Sequence, residues 1–202
     1  MIRIYRTEIS HAAPSGRRQA ELAAELNLLA RALGPDAVLA HDPHGAPHVE
    51  GRPDLYVSVS HSADACVLAV SDTPVGVDVE SPRPQLQRIA HKILTEAELA
   101  HAPYDITLLL RLWTAKEAVF KCAAIPSLVI SEITVSLPSV SAESDVPRCV
   151  PFSGPTHAAA EARGLNFSIR FFPSGLSSIL AVAVPSGVPE AEIEFYGGLK
   201  SV

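Results

Sequence analysis

The stretch that decides the fold is VGVDVE, residues 75–80. Its alternating valines predict a β-strand with an apolar row of side chains facing inward. Because successive side chains on a strand point to opposite faces, Asp78 and Glu80 must share the other face. Two carboxylates side by side on one face repel each other, and the stretch holds no basic residue. The pattern therefore raises the question of which cation neutralises them.

The composition allows a substantial core. The chain has 202 residues, 48% of them hydrophobic, which suffices for one large domain or two small ones. With 22 acidic and 16 basic residues it is acidic overall, which argues against a nucleic-acid partner but leaves room for a local basic pocket. No apolar run approaches the roughly 20 residues of a membrane span, and MIRIYRTEIS at the start has no signal-peptide core. We expect a cytoplasmic protein without a membrane partner.

The cysteines predict neither a disulfide framework nor a zinc site. Cys66, Cys122 and Cys149 are scattered and form no C-x-x-C pair. We expect reduced and mostly buried thiols.

Helical spacing of apolar residues occurs in three segments: 15–33, 85–101 and 106–124. Gly34-Pro35 closes the first segment and Pro126 follows the last. Within the second, Thr95 is placed to cap a helix start.

Strand patterns occur at 55–60, 66–71, 75–80, 130–137, 166–172 and 178–185. Short turns separate the first three, which predicts a small antiparallel meander. The segment 41–54 is dense in Pro and Gly and predicts an irregular loop. The segment 138–165 is rich in Ser and Pro.

The order of one helix and three strands occurs twice along the chain. This predicts an α+β fold of two pseudo-duplicated halves, each a small antiparallel sheet with a packed helix, and an active site in the cleft between them. We expect one functional unit, residues 1–202, made of subdomains at about 1–100 and 101–202.

The acidic pair at 78 and 80 fits a hard cation. Magnesium prefers a few carboxylates together with waters and phosphate oxygens over a complete protein cage. Asp78 and Glu80 on a cleft wall would supply such ligands. The alternative is two solvated acids at an exposed strand end.

A second polar group lies in WTAKEAVFK, residues 113–121. On a helix Glu117 and Lys121 lie one turn apart on the same face. Glu117 could provide a third oxygen ligand for the cation, and the ammonium of Lys121 could neutralise the charge of a phosphate. The alternative is an exposed pair worth ~0.2–0.5 kcal/mol. We expect Trp113 to pack.

A third group, SVSHS at 58–62, stands at a predicted strand end. Ser60 offers a hydroxyl, and the imidazole of His61 can donate to an anionic oxygen. A Ser-His nucleophile is disfavoured, since consecutive strand residues point apart and no G-x-S-x-G elbow surrounds them. The alternative for His61 is a turn or surface residue.

Together, SVSHS, GVDVE (76–80) and WTAKEAVFK resemble, in this order, the motifs of the surfactin-type 4′-phosphopantetheinyl transferases. The motifs cover about residues 45–121. The resemblance implies a magnesium-dependent enzyme that moves 4′-phosphopantetheine from coenzyme A to a serine of an apo acyl or peptidyl carrier protein. The second product would be 3′,5′-adenosine diphosphate.

The same resemblance implies roles for the acidic residues and one lysine. Asp78, Glu80 and Glu117 would hold magnesium. Glu117, or a water on the metal, would take the proton of the carrier serine. Lys121 would stabilise the pyrophosphate and the leaving group, so the implied catalytic residues are Asp78, Glu117 and Lys121. Glu98 meets the spacing of a further glutamate of the family.

Coenzyme A would be bound by Ser60, His61, Lys116 and Lys121 of the motifs. The family often has a lysine before the Ser-His pair, where this chain has Ala46, and nearby Arg52 could substitute for it. Arg17 and Arg18, at a helix start, are candidates for the 3′-phosphate; the alternative is two solvated arginines.

Two rival functions remain open at this point. The three acids would also serve a metal-dependent phosphohydrolase with water as the nucleophile, and a non-catalytic relative could bind carrier proteins without modifying them. We expect a monomer. The residues do not distinguish magnesium from manganese, nor fatty-acid from polyketide or nonribosomal-peptide pathways.

Overall fold

The structure is a computed structural model that describes residues 1–9, 16–101, 105–138, 156–174, 178–188 and 193–197. The strands are β1 (Ile2–Glu8), β2 (Leu39–His41), β3 (Pro47–Val49), β4 (Tyr56–His61), β5 (Ala65–Ser71), β6 (Gly76–Glu80), β7 (Ile133–Ser136), β8 (His157–Ala162), β9 (Leu165–Pro173), β10 (Ile179–Pro185) and β11 (Ile193–Tyr196). The helices are α1 (Arg17–Leu33), α2 (Gln85–Ile93), α3 (Glu96–His101) and α4 (Ile106–Ala123), with a 3-10 turn at Ile130–Glu132.

Most strands belong to two sheets. The first has the order β11-β1-β5-β4 and the second has the order β6-β10-β9-β8-β7. All pairs in the second sheet are antiparallel, whereas the first contains one parallel pair, β1 with β11. A separate hairpin joins β2 and β3.

Three apolar clusters arrange these elements as layers. One cluster lies between α1 and the first sheet, and includes Leu28, Leu29 and Leu68. A second lies between the two sheets, where the valines of β6 meet Ile2 and Ile4 of β1. The third and largest lies between α4 and the second sheet. The order is therefore helix, sheet, sheet, helix, and the α+β class with a helix packed on each sheet is confirmed.

The predicted meander is wrong in one pairing. β4 and β5 pair as expected, but β6 joins the second sheet and pairs with β10 at Asp78↔Ala181. The reason is that both edges of β5 are already occupied, by β1 and by β4. β11, from the second half of the sequence, joins the first sheet, just as β6, from the first half, joins the second sheet. A subdomain boundary near residue 100 stays a prediction.

Other differences from the sequence are local. The expected loop at 41–54 includes the turn and the second strand of the β2–β3 hairpin. The Asp42 carboxylate closes this turn by accepting hydrogen bonds from His44 N and Ala46 N. The single helix expected at 85–101 is two, because Thr95 starts a new one: its hydroxyl accepts from Glu98 N while its own N–H donates to the Glu98 carboxylate.

The thiol prediction is confirmed where the structure describes it. Cys66 and Cys122 are free and buried, and burial raises the pKa of each thiol to about 12. Cys149 lies outside the described residues. No helix in the described part of the chain is long and apolar enough to cross a membrane.

Candidate active site

The candidate site forms where α4 lies against one face of β6. Gly76 permits this approach, since a Cβ there would lie 1.9 Å from the carbonyl oxygen of Ala118. On α4 the side chains of Trp113, Glu117 and Lys121 follow at intervals of one turn and form one stripe. The stripe meets the face of β6 that carries the acids.

Asp78 is held by the elements on either side of it. Its Oδ1 accepts a hydrogen bond from Ser60 Oγ of β4 at 2.8 Å and pairs with Lys121 Nζ of α4 at 2.8 Å. Lys121 Nζ also donates to the carbonyl oxygen of Val77 at 3.1 Å. The other oxygen, Asp78 Oδ2, is buried and receives no hydrogen bond from any described residue. One oxygen is therefore anchored and the other is free to bind.

Glu80 is contacted by two residues, Arg83 and Trp113, that were not predicted as site residues. Arg83 Nη2 lies 2.7 Å from Glu80 Oε1, and Trp113 Nε1 donates to the same oxygen at 3.4 Å. Trp113 also packs against the core, as expected. A basic residue three positions after the acidic pair was the signal that could have identified Arg83.

The negative charges of neighbouring acids raise the pKa values of Glu80 and Glu117. Burial, together with the negative charges of Asp78 and Glu80, raises the pKa of Glu117 to about 7 against the opposing effect of Lys121. Burial, followed by the charge of Asp78, also raises the pKa of Glu80. The structure thus places the three predicted metal ligands close enough to interact electrostatically. We call Asp78, Glu80 and Glu117 the acidic cluster; Lys121 pairs with Asp78 and Arg83 pairs with Glu80.

This acidic cluster fits a divalent cation in the chemistry of its donors. All donors are carboxylate oxygens, the ligands that magnesium takes, and the free Oδ2 of Asp78 is a buried acceptor without a donor. Within the described residues, no group of three or more His, Cys, Asp or Glu side chains could hold a metal ion as it stands. Lys121 and Arg83 contact the carboxylates instead. Shared ligation would therefore require side-chain rotation.

The Ser-His pair divides as strand alternation predicts. Ser60 is 5% exposed, and its hydroxyl both donates to Asp78 and accepts from Val79 N. A hydroxyl has only one proton to donate, so this placement does not support the expected direct contact between Ser60 and coenzyme A. His61 points elsewhere, with Nε2 2.7 Å from Glu25 Oε1 of α1.

The predicted arginines lie apart from the acidic cluster. Arg17 pairs with Glu21 at 2.7 Å on α1, on a stripe that continues through Glu25 to His61. Arg18 is exposed beside it. Arg52 pairs with Asp54 in an exposed turn before β4. None of these arginines contacts the acids in the described structure.

Lys116 does not fit the predicted contact with coenzyme A. Its side chain is 0% exposed, with Nζ 2.7 Å from Glu98 Oε2 and 2.5 Å from the carbonyl oxygen of Ile133. Glu98 Oε1 in turn accepts from Val135 N at 2.8 Å. Lys116 faces away from β6 because it lies five residues before Lys121, on another side of α4. Lys116 and Glu98 tie α4 and α3 to β7.

Comparison with known proteins finds the same family from two directions. The family model of the 4′-phosphopantetheinyl transferase superfamily matches residues 74–144, which include the acidic cluster and Lys121. The chain is 31% identical over 135 residues to the 4′-phosphopantetheinyl transferase AcpT of Salmonella typhimurium, covering 63% of this chain and 70% of that protein.

Two relatives from Bacillus align over shorter regions. The 4′-phosphopantetheinyl transferase of Bacillus subtilis is 29% identical over 85 residues, 40% of this chain and 38% of the relative. The 4′-phosphopantetheinyl transferase psf-1 of Bacillus pumilus is 34% identical over 83 residues, 39% of this chain and 36% of the relative.

Proposed function

This chain belongs to the 4′-phosphopantetheinyl transferase superfamily and is an enzyme of that class, and on that premise we propose that it moves 4′-phosphopantetheine from coenzyme A to a serine of an acyl or peptidyl carrier protein. One observation carries the proposal: Asp78, Glu80 and Glu117, from a strand and a distant helix, form one acidic cluster beside a lysine. That arrangement suits a diphosphate substrate held through a cation. The three motifs in order favour the surfactin type within the superfamily.

Asp78, Glu80 and Glu117 would hold a divalent cation, which we propose to be magnesium. When bound, such a cation neutralises charge on the diphosphate of coenzyme A and so favours attack at phosphorus. The protein contributes the placement of its ligands: β6 fixes two of them on one face, and α4 brings the third against that face.

Lys121 serves the leaving group. It is 28% exposed beside the buried Asp78, so its ammonium can turn from that carboxylate to a phosphate oxygen without leaving the site. A charge-assisted hydrogen bond of this kind strengthens as negative charge grows on the departing 3′,5′-adenosine diphosphate.

Glu117 acts as the general base. Without a cation, burial and its acidic neighbours raise its pKa to about 7. In the loaded site, the carboxylate oxygen of Glu117 that does not bind the cation would take the proton. The serine oxygen of the carrier attacks the β-phosphorus of coenzyme A, and the new O–P bond replaces the bond from that phosphorus to the bridging oxygen. The serine proton passes to Glu117, and the bridging oxygen leaves with the adenosine part.

The remaining phosphates of coenzyme A are assigned to α1 and the end of β4. His61 offers a ring nitrogen there. Arg17 lies two turns from Glu25 on the stripe that reaches His61, and Arg18 lies beside Arg17. Arg52 is proposed to stand in for the lysine absent at Ala46. A cleft between the halves, a monomeric state and a cytoplasmic location stay predictions.

Intact-mass spectrometry of an apo carrier protein tests the function. Incubation with this chain, coenzyme A and Mg²⁺ should add the mass of one phosphopantetheine, and a chelator should prevent the addition. Consumption of coenzyme A without any carrier would indicate a phosphohydrolase instead. Binding of the carrier with its mass unchanged would indicate a non-catalytic relative. Either result would overturn the proposal.

A further inference from the structure

The two oxygens of Asp78 have unequal surroundings. Oδ1 receives the Ser60 hydroxyl and the Lys121 ammonium, each at 2.8 Å. Oδ2 is buried and receives nothing from the described residues. A carboxylate that turns about its terminal torsion would exchange these oxygens, and that torsion is soft in aspartate. Something must fix which oxygen is presented.

Ser60 is placed to do this by side-chain hydrogen bonds between β4 and β6, the edge strands at which the two sheets meet. β4 and β6 run side by side without a backbone ladder between them. Instead, two serines of β4 accept hydrogen bonds from the backbone of β6: Ser58 Oγ from Val77 N at 3.0 Å, and Ser60 Oγ from Val79 N at 3.1 Å. Both serines are buried, at 3% and 5% exposure.

These two serines differ in one respect. The Ser60 hydroxyl donates a hydrogen bond to Asp78 Oδ1. In the described structure, the hydrogen bonds of Ser58 include no carboxylate. Because Ser60 Oγ is held by Val79 N, its proton can point steadily at one oxygen of Asp78. Lys121 does not provide the same constraint, since its flexible side chain can leave for a phosphate.

We propose that Ser60 is a positioning residue for the cation: its hydroxyl locks Asp78 Oδ1 and thereby presents Oδ2 to the metal. The proposal rests on the metal site of the proposed function. It reassigns Ser60 from coenzyme A, which the resemblance implies, to the support of a metal ligand. Outer contacts of this kind orient ligating carboxylates, and their loss typically lowers metal affinity by about 10- to 100-fold.

Mn²⁺ binding provides a readout that does not depend on turnover. We would titrate Mn²⁺ into the full chain and measure free Mn²⁺ by electron paramagnetic resonance, comparing wild type, Ser60→Ala and Ser58→Ala. Ser60→Ala should weaken Mn²⁺ binding by about 10- to 100-fold. Ser58→Ala removes the equivalent joint between the strands and should leave Mn²⁺ affinity unchanged.

Thermal unfolding of the same variants separates positioning from general stability. Both variants lose one buried acceptor for a backbone N–H, so both should unfold at lower temperature by similar amounts. If Ser60→Ala fails to fold, Ser60→Cys replaces it, because the thiol has similar shape but is a weak donor. The same loss of Mn²⁺ affinity is expected.

Three results would overturn the inference, and they are distinguishable. Equal Mn²⁺ affinity in wild type and the Ser60 variant would refute positioning while leaving the metal site intact. An equal loss in both serine variants would reduce Ser60 to a structural joint. If wild type bound no Mn²⁺ either alone or in a repeat titration with coenzyme A present, the metal site itself would be wrong, and the proposed function would fall with the inference.

Discussion

Two lysines of α4 show how differently one motif can use the same side chain. Lys116 is 0% exposed and pairs with the buried Glu98, whereas Lys121 is 28% exposed and pairs with Asp78. Both pairs have short distances, 2.7 and 2.8 Å. The difference lies in what surrounds them: one pair closes an interior contact between α4 and β7, and the other stands at a site where a ligand can replace it.

Access to solvent determines how much free energy each ion pair costs when one of its partners is removed. Burial lowers the pKa of Lys116, and the hydrogen bond and charge of Glu98 oppose this shift. Neither partner of that pair can reach water if the other is removed. Lys121 can reach water. Without Lys121, its partner Asp78 still accepts the hydrogen bond from the Ser60 hydroxyl. We therefore expect Lys116 to matter for stability and Lys121 for catalysis.

The largest effect should follow Lys116→Met. This change leaves the Glu98 carboxylate buried without its ammonium, and breaking a buried pair in this way costs about 3–5 kcal/mol. Urea denaturation should show the loss as a lower free energy of unfolding.

The matched control for this variant is Lys116→Met combined with Glu98→Gln. The neutral amide leaves no unpaired charge buried, and its oxygen can still accept a hydrogen bond from Val135 N or Thr95 N, so stability should recover substantially. A stable Lys116→Met protein that has lost affinity for coenzyme A would contradict the comparison and return Lys116 to the binding site.

A smaller effect, on turnover, should follow Lys121→Ala. Loss of one hydrogen bond between charged groups costs about 1.5–3 kcal/mol, which should appear in kcat/KM for coenzyme A as roughly a 10- to 100-fold decrease. The free energy of unfolding should fall less than in Lys116→Met, because water can reach Asp78 in place of the 28%-exposed Lys121 side chain. Lys92→Ala, at an exposed position of α2, is the control and should change neither quantity. Unchanged kinetics for Lys121→Ala would reduce this lysine to an exposed helix pair.

The smallest effect should come from Arg17→Ala combined with Arg18→Ala. Both side chains are exposed, and single exposed ion pairs contribute about 0.2–1 kcal/mol, so the KM for coenzyme A should rise only a few-fold. Dephospho-coenzyme A, which lacks the 3′-phosphate, should be affected less. Arg88→Ala on α2 serves as the charge control. Equal losses with both substrates would remove the 3′-phosphate role.

The sequence predicted the parts of the site that depend on local periodicity. Alternation in 75–80 places the valines of β6 in the core and both acids toward α4, as the contacts of Asp78 and Glu80 show. Helical spacing likewise predicts the stripe on α4. These features follow from side-chain directions within one element, which a short stretch of sequence determines.

Features that depend on distant partners could not be predicted in this way. The pairing of β6 with β10 joins residues about a hundred positions apart. β8 reads HAAAEA, and alanine is a weak strand former, so only its neighbours β7 and β9 make it a strand. Lys116 is polar in every local pattern, and only Glu98 and Ile133, brought close by the fold, explain its burial.

The central claim is that Asp78, Glu80 and Glu117 share one divalent cation that binds the diphosphate of coenzyme A. A crystal structure of this chain with coenzyme A and Mn²⁺, with anomalous scattering recorded for manganese, tests it most directly. The account predicts a single strong peak in contact with oxygens of all three carboxylates and of the diphosphate. A peak elsewhere, or coenzyme A bound while Asp78 is still paired to Lys121 and Glu80 to Arg83, would contradict it.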